Sequence, residues 1–513
     1  MNVLRSLISL SAITFFSKIL GFIRDSLIAY TFGASGLTDS FFLAFKIPNL
    51  FRRIFSEGFF LQTFVPVLLE YKHFYSIKRI QELISNALGF IVFILSIFTI
   101  FGILFASKII FIISPGLKQS TFKFYLTVLM FKIIFPYIFF VSLGSFISSI
   151  LNSWNYFFIP AFSSILFNVN IIIFILFFSS YFHVSILSLA WATSLGGLIQ
   201  LIYQIPFLKK IDMLVFPKFD IKNLRFQNVS KRTMIVIIGV FVSQISIIMN
   251  TISASFLVSG SISWIYYSDR LIEFISGILG VSLGTILLPL FSTKSSHISK
   301  QENCKLLDWA LRIGCLIAIP SSIALFILSK IVIIVLFQYG NFSIFDVFMT
   351  KNILMFYSIG LIPLILVKII LPKFYSNNDF TSPLIISIFV LIITQFMNIV
   401  FLPYFQHNSF ALSSSISSWI NFFLLYWISI NKKYFSPESG WTIFLGKIFV
   451  SVVFMSCILY LNLFFFSNWS TGTIFFKLSK LMLVCCISGC SYFIMLFILG
   501  LRIYHFSLIL KKK

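Results

Sequence analysis

Apolar runs of twenty or more residues recur along this whole chain, and no single motif constrains its fold as much. Each run is long enough to cross a hydrocarbon core of roughly 30 Å at 1.5 Å per helical residue. Soluble domains carry about 25% charged residues. Here only 10% of 513 residues are charged, 59% are hydrophobic, and mean hydropathy is +1.04. The chain therefore reads as an all-α integral membrane protein. Its first apolar run continues through charged residues and lacks a small-residue cleavage site before Thr31. That run is read as a span and not as a cleavable signal peptide.

Apolar runs and the polar breaks between them give about fourteen spans. The second is expected over 39–67, the third over 83–113, the seventh over 232–257 and the eighth over 262–291. The longest polar stretch, Leu208 to Arg232, separates the sixth from the seventh. Even-numbered loops are basic: one holds Lys72, Lys78 and Arg79, another Lys209, Lys210, Lys218, Lys222, Arg225, Lys231 and Arg232, and a late one Lys432 and Lys433. Odd loops such as TFGASGLTD, LVSGS and FQYGNFS have no Lys or Arg, while Lys118, Lys123, Lys477 and Lys480 are exceptions. Retention of basic loops on the inner side places both termini in the cytoplasm, as an even span count requires. The same rule explains a net charge of +24 without nucleic acid as a partner.

The two halves resemble each other at a nearly constant offset. FASKIIFII around Lys108 matches ILSKIVIIV around Lys330 at a shift of 222, and Pro160 falls over Pro383 and Tyr203 over Tyr426 at a shift of 223. Pro66 likewise falls over Pro289. A repeat of about six helices keeps both copies in one orientation, so the expected plan is two six-helix lobes in a parallel pseudo-twofold repeat. The expected division is a first lobe over 1–207, a basic cytoplasmic linker over 208–231, a second lobe over 232–431, and two additional helices with a basic tail over 432–513. Such paired lobes usually enclose a cavity, and rocking of the lobes gives alternating access.

An ionised side chain at bilayer depth costs ~3 kcal/mol or more, so the charges inside spans are informative. The first span holds Lys18, Arg24 and Asp25. The second holds Asp39, Lys46, Arg52, Arg53 and Glu57, and the eighth holds Asp269, Arg270 and Glu273. Asp39, Lys46, Arg53 and Glu57 are spaced seven, seven and four apart and share one helical face. A charged stripe cannot face lipid, so these faces are expected to line a polar cavity. The alternative is that the acids and Arg53 only bridge helices. Six bases stand against five acids, which leaves open which cations remain unpaired. An unpaired Arg suits pyrophosphate, because its planar fork donates two parallel hydrogen bonds to phosphate oxygens.

Cysteine and histidine carry no chemistry here. Cys485, Cys486 and Cys490 lie inside a span with no nearby His, and the five His are scattered around span ends. No metal site, no cofactor and no catalytic residue is expected.

The segment from Ser17 to Tyr71, which contains SKILGFIRDS and FKIPNLFRRIFSEG, resembles the MurJ (MviN) lipid II flippases. So do SGSISWIYYSDRLIEFISGILGVSLG, FQYGNFSIFD and FYSNNDFTSP, and the likeness runs from Met1 to beyond Arg502. The resemblance implies the fourteen-helix fold of the multidrug/oligosaccharidyl-lipid/polysaccharide exporter superfamily. It implies a groove for an undecaprenyl tail formed by the two last helices, and a cationic cavity for a pyrophosphate-linked head group. Residue by residue, Arg24, Arg52, Arg270 and Lys18 would bind that head group. Lys46 and Arg53 would add cavity charge, and Asp25, Asp39, Glu57, Asp269 and Glu273 would pair with cations or help switch conformation. The family commonly has Arg at the position of Lys18, where this chain keeps the charge and loses the fork.

The function so implied is translocation of lipid II, the undecaprenyl-pyrophosphate-linked sugar-peptide, across the bacterial inner membrane by alternating access. Lipid II and membrane lipids are then the partners, a monomer is one of the open oligomeric states, and no bond is made or broken. A flippase for another polyprenyl-linked glycan of the O-antigen type is the alternative. An exporter of cationic drugs is more remote, since it should favour unpaired acids.

Overall fold

The structure is a computed structural model and describes residues 3–55, 60, 64–218, 244–277, 300–377, 379–466 and 468–501, apart from the side chains of residues 3–12, 66, 67, 73, 119 and 300–303. Several expectations fall outside those residues: Glu57, the linker beyond residue 218, the start of the seventh span, the end of the eighth, and the basic tail. The chain forms two compact units, Met1–Ser263 and Trp264–Lys513. Among the described residues there is no strand, and nine helical stretches are long and apolar enough to cross a membrane. The all-helical membrane class expected from the apolar runs is what the chain adopts.

The first unit contains α1 (Val3–Phe32), α2 (Gly36–Arg53), α3 (Val65–Phe74), α4 (Ile77–Leu104), α5 (Ala106–Ile113), α6 (Thr121–Ile134), α7 (Pro136–Ser153), α8 (Phe158–Ile173), α9 (Leu187–Lys210) and α10 (residues 244–254). Of the expected second span, the structure describes α2, which passes at Ile54 and Phe55 into wider helical turns, and α3 from Val65, with residues 56–59 and 61–63 outside the described residues. The expected third span breaks at Phe105, which leaves helical geometry (φ −94°, ψ 14°) between α4 and α5. By contrast α6 and α7 run on as one stretch over Thr121–Ser153, because Pro136 at the first turn of α7 costs the junction little.

α1 packs on α8, α2 on α6 and α7, and α9 on α7 and α8. A buried cluster of Phe60, Phe64, Leu68, Ile84 and Phe146 closes one end of this bundle, with the Phe64 and Phe146 rings 4.8 Å apart. Close approach is bought by small residues. A Cβ on Gly116 would lie 2.1 Å from the Ser255 carbonyl oxygen, so only glycine fits there.

The second unit contains most of α11 (Ser261–Ser276), then α12 (Lys300–Phe337), α13 (Ile344–Ser376), α14 (Thr381–Phe405), α15 (Asn408–Asn431), α16 (Trp441–Phe465) and α17 (Ile474–Ile498). α13 is the hub, packed on α12 and α15, while α16 and α17 pair with each other and lean on α12. Ser343 and Asp346 form a capping box that starts α13. Large apolar side chains such as Phe449, Phe475 and Phe497 point away from the protein, as lipid-facing surfaces require.

Polar clamps hold the loop residues that lead into α16. The buried Asp308 carboxylate on α12 accepts from Arg312 Nε (2.7 Å), Trp441 Nε1 (2.7 Å) and the Glu438 amide (3.2 Å). Arg312 also lies over the Trp441 ring at 5.1 Å. Further along the chain, Asp379 accepts from Lys432 Nζ (2.7 Å) and from the Ser382 amide (3.1 Å). Asp308 opens an apolar run and Asp379 lies in a polar break, outside the charged faces of the first, second and eighth spans, so charge spacing within spans misses both.

Two outcomes follow from these clamps. Asp308→Ala strands a cation and two N–H donors, so unfolding of the purified protein in detergent should be easier by about 3 kcal/mol. At Asp379 burial works against the charge, but Lys432 and Ser382 hold the carboxyl below its ordinary 3.8. Its contribution is therefore present above that value and lost as pH falls through the depressed one. Lys432 is raised above 10.5 by its hydrogen bond to Asp379, so its share is lost only as pH rises past the raised value. The Tm difference between the parent and Lys432→Ala should stay flat between about pH 5 and pH 9 and shrink in acid.

Candidate functional site

A polar cavity of about 360 Å³ opens within the first unit. Its wall is written into α7, where Ser145, Ser148, Ser149 and Asn152 recur at helical spacing on one face of a largely apolar helix. α8 adds Ser163 and Ser164, α9 adds Gln200 and Gln204, and α2 brings Arg52 to the rim. Arg52 Nε donates to Asn49 Oδ1 at 3.0 Å, one turn back. Gln200 Nε2 donates to the Ser163 carbonyl (3.0 Å), and Ser148 Oγ donates to Gln204 Oε1 (2.9 Å). The cavity is thus a hydrogen-bonded chamber whose described lining residues include a single cation. Charge spacing alone misses it. Neutral polar residues at i, i+3, i+4 and i+7 within a span are the signal that finds it.

Arg24, expected to be a head-group cation, is held inside the same unit. It is only 6% exposed, and it grips its neighbour Asp25 through Nε (2.9 Å) and Nη2 (2.6 Å). Nη1 donates to Asn168 Oδ1 on α8 at 3.0 Å, and Asn168 in turn donates to the Ser17 carbonyl at 3.2 Å. Asn168 was not singled out from the sequence. It lies in a run with no charge, and only the packing of α1 on α8 brings it to the guanidinium.

Asp39 is also buried and fully engaged. It accepts from the Gly260 amide (2.6 Å), the Ser263 amide (2.9 Å) and Ser263 Oγ (2.6 Å). Lys46 and Arg53 on α2 and Lys18 on α1 are partly buried and have partners of their own. In the second unit Arg270 Nη1 pairs with Glu273 at 2.9 Å and its guanidinium lies over the Tyr266 ring at 5.5 Å. Asp269 is exposed beside them. Lys368 donates to the Ser276 carbonyl at 3.1 Å, while Lys132 is exposed.

A family profile described as "Lipid II flippase MurJ" matches residues 28–479. The chain belongs to the MurJ family. A relative from Buchnera aphidicola subsp. Baizongia pistaciae, named a probable lipid II flippase MurJ, is 56% identical over 99% of both chains. A second relative, the lipid II flippase MurJ of Burkholderia cenocepacia, is 39% identical over 86% of both. Among solved structures, one described as lipid II flippase MurJ in an inward closed conformation superposes with TM-score 0.79 at 26% identity, covering 95% of this chain and 98% of that one. A multidrug resistance MATE family transporter in an inward-facing conformation superposes with TM-score 0.65 at 12% identity over 83% and 97%, a likeness of fold alone. The family expected from Ser17–Tyr71 is therefore the family to which the chain belongs, and it is a family of multi-pass membrane transporters.

The Arg24–Asp25–Asn168 arrangement makes a sharp statement about coupling. Asp25→Ala leaves a buried guanidinium with one neutral acceptor among those described above, and should cost about 3 kcal/mol of stability. Removing Arg24 as well should recover part of that loss. Thermal unfolding of the two single variants and the double variant measures this coupling, and simple additivity would show the pair to be independent.

Proposed function

We infer that this chain is a lipid II flippase, which carries the undecaprenyl-pyrophosphate-linked sugar-peptide from the inner to the outer leaflet of the bacterial inner membrane. Identity of 56% to a relative so named, over 99% of both chains, is the observation that carries this reading. Both termini lie in the cytoplasm on this reading, because the basic loops stay inside. The repeat makes residues 1–207 and 232–431 two six-helix lobes, joined by the basic linker 208–231. Residues 432–513 supply two further helices whose groove takes the polyprenyl tail.

Arg24, Arg52, Arg270 and Lys18 bind the pyrophosphate head group in this proposal, with Lys46 and Arg53 adding positive potential. Asp25, Asp39, Glu57, Asp269 and Glu273 serve as resident anions. The head group must compete with Asp25 for Arg24 and with Glu273 for Arg270, so binding exchanges one charge-assisted pair for another. That exchange suits a carrier, which has to release what it binds. Alternating access then moves the head group while the tail stays in lipid, and no covalent bond changes.

Depletion of a host's own flippase, with this chain supplied in its place, tests the reading. Periplasmic cleavage of the head group reports the leaflet that lipid II occupies. The parent should restore outward lipid II, and well-expressed Arg24→Ala and Arg270→Ala variants should not. Rescue by both variants would remove the ligand assignment and leave the flippase. Failure of a well-expressed parent would point to a different polyprenyl-linked glycan.

A further inference from the structure

The cavity in the first unit is poor in charge and rich in neutral hydrogen-bonding groups, which is not what a pyrophosphate site needs. Among the described lining residues only Arg52 is ionised, while the wall contributes Ser145, Ser148, Asn152, Ser164, Gln200 and Gln204. The chemistry of these groups is directional. Ser145 and Ser149 donate back to the carbonyls of Val141 (2.8 Å) and Phe146 (2.6 Å), so their hydroxyl oxygens retain acceptor capacity. Asn152 and Ser164 make no side-chain hydrogen bond among the described residues, and each faces the cavity with both donor and acceptor capacity. A volume of about 360 Å³ lies at the small end of ligand pockets, which run from about 300 to 1,000 Å³. It admits one part of a large head group.

We propose that this cavity is the subsite for the uncharged, hydroxyl- and amide-bearing part of the head group, with Arg52 at its rim marking where the anionic part begins. The inference rests on the flippase reading and assigns the specificity for the glycan or peptide portion to α7, α8 and α9. A wall of neutral donors and acceptors rejects a ligand that lacks the matching groups, because desolvated polar atoms are then left unpaired. Pyrophosphate and tail are common to undecaprenyl-pyrophosphate-linked carriers, so discrimination among these has to come from contacts of this kind.

The test uses full-length protein in nanodiscs with three ligands: lipid II, the same lipid lacking its peptide, and bare undecaprenyl pyrophosphate. The variants are Asn152→Leu with Ser164→Val, which disturbs no hydrogen bond described here, and separately Gln200→Leu. Each variant should bind lipid II about tenfold more weakly, the loss expected for one or two neutral hydrogen bonds. Binding of undecaprenyl pyrophosphate should be unchanged. If the peptide-free lipid shows the same loss the subsite holds sugar, and if only lipid II does it holds peptide. Unchanged lipid II binding, or an equal loss for all three ligands, overturns the subsite and shows a cavity that holds water only. A parent chain that restores outward lipid II in the depleted host keeps the flippase reading alive in that event. A parent that fails there, and binds lipid II no better than undecaprenyl pyrophosphate, overturns both.

Discussion

Charge inside a hydrocarbon-embedded bundle has to find a partner before it can be tolerated, and the arrangement of this protein follows from how each partner is supplied. Arg24 takes a counterion from the next residue in the chain and a further hydrogen bond from Asn168 across to α8. Asp39 takes none from a cation in that way, and instead collects two backbone amides and a serine hydroxyl. Asp308 gathers Arg312, an indole N–H and an amide. His407 is handled by loss of charge: it is 5% exposed, stands edge-on to Trp264, and burial pushes its pKa down. The Arg24, Asp39 and Asp308 solutions each tie two segments together, so the charges that make the helices awkward to insert also set how they pack.

The neutral polar residues obey the same constraint differently. A serine in a span can donate to the carbonyl three or four residues back and so hide its hydrogen. Ser145, Ser149, Ser153 and Ser163 all do this. Such residues cost little in the membrane, yet keep an oxygen available to whatever enters a cavity. The first unit can therefore contain a polar chamber without ion pairs to close it.

Much of this was legible in the sequence. Twenty-residue apolar runs settled the helical class, and the charged segments around Arg24, Arg53 and Arg270 carried the family. Helix limits in the second unit fall within a few residues of the apolar runs, as Ile344–Ser376 does for the run 345–372 and Asn408–Asn431 for the run 408–430. What the sequence concealed is long-range. Asn168 meets Arg24 across 144 positions, and Gln204 meets Ser148 across 56. Period and composition are local properties, and neither encodes a pairing that only helix packing creates. The break at Phe105 was hidden for a related reason: an apolar run reads the same whether one helix or two pass through it.

The conversion of Arg24 from a buried ion pair to a ligand site is the step on which the proposed cycle turns. A ligand shifts a conformational equilibrium only by its difference in affinity for the two states. A cation left bare in one state would bind pyrophosphate tightly there and release it slowly. A cation already paired with Asp25 offers a smaller difference, because the entering anion replaces a resident one. As the proposed subsite, the neutral chamber would add selectivity through directional hydrogen bonds, whose net strength of about 1 kcal/mol each is small enough to reverse. Modest, exchangeable contacts around a large ligand are what allow a carrier to recognise its cargo on one side and give it up on the other.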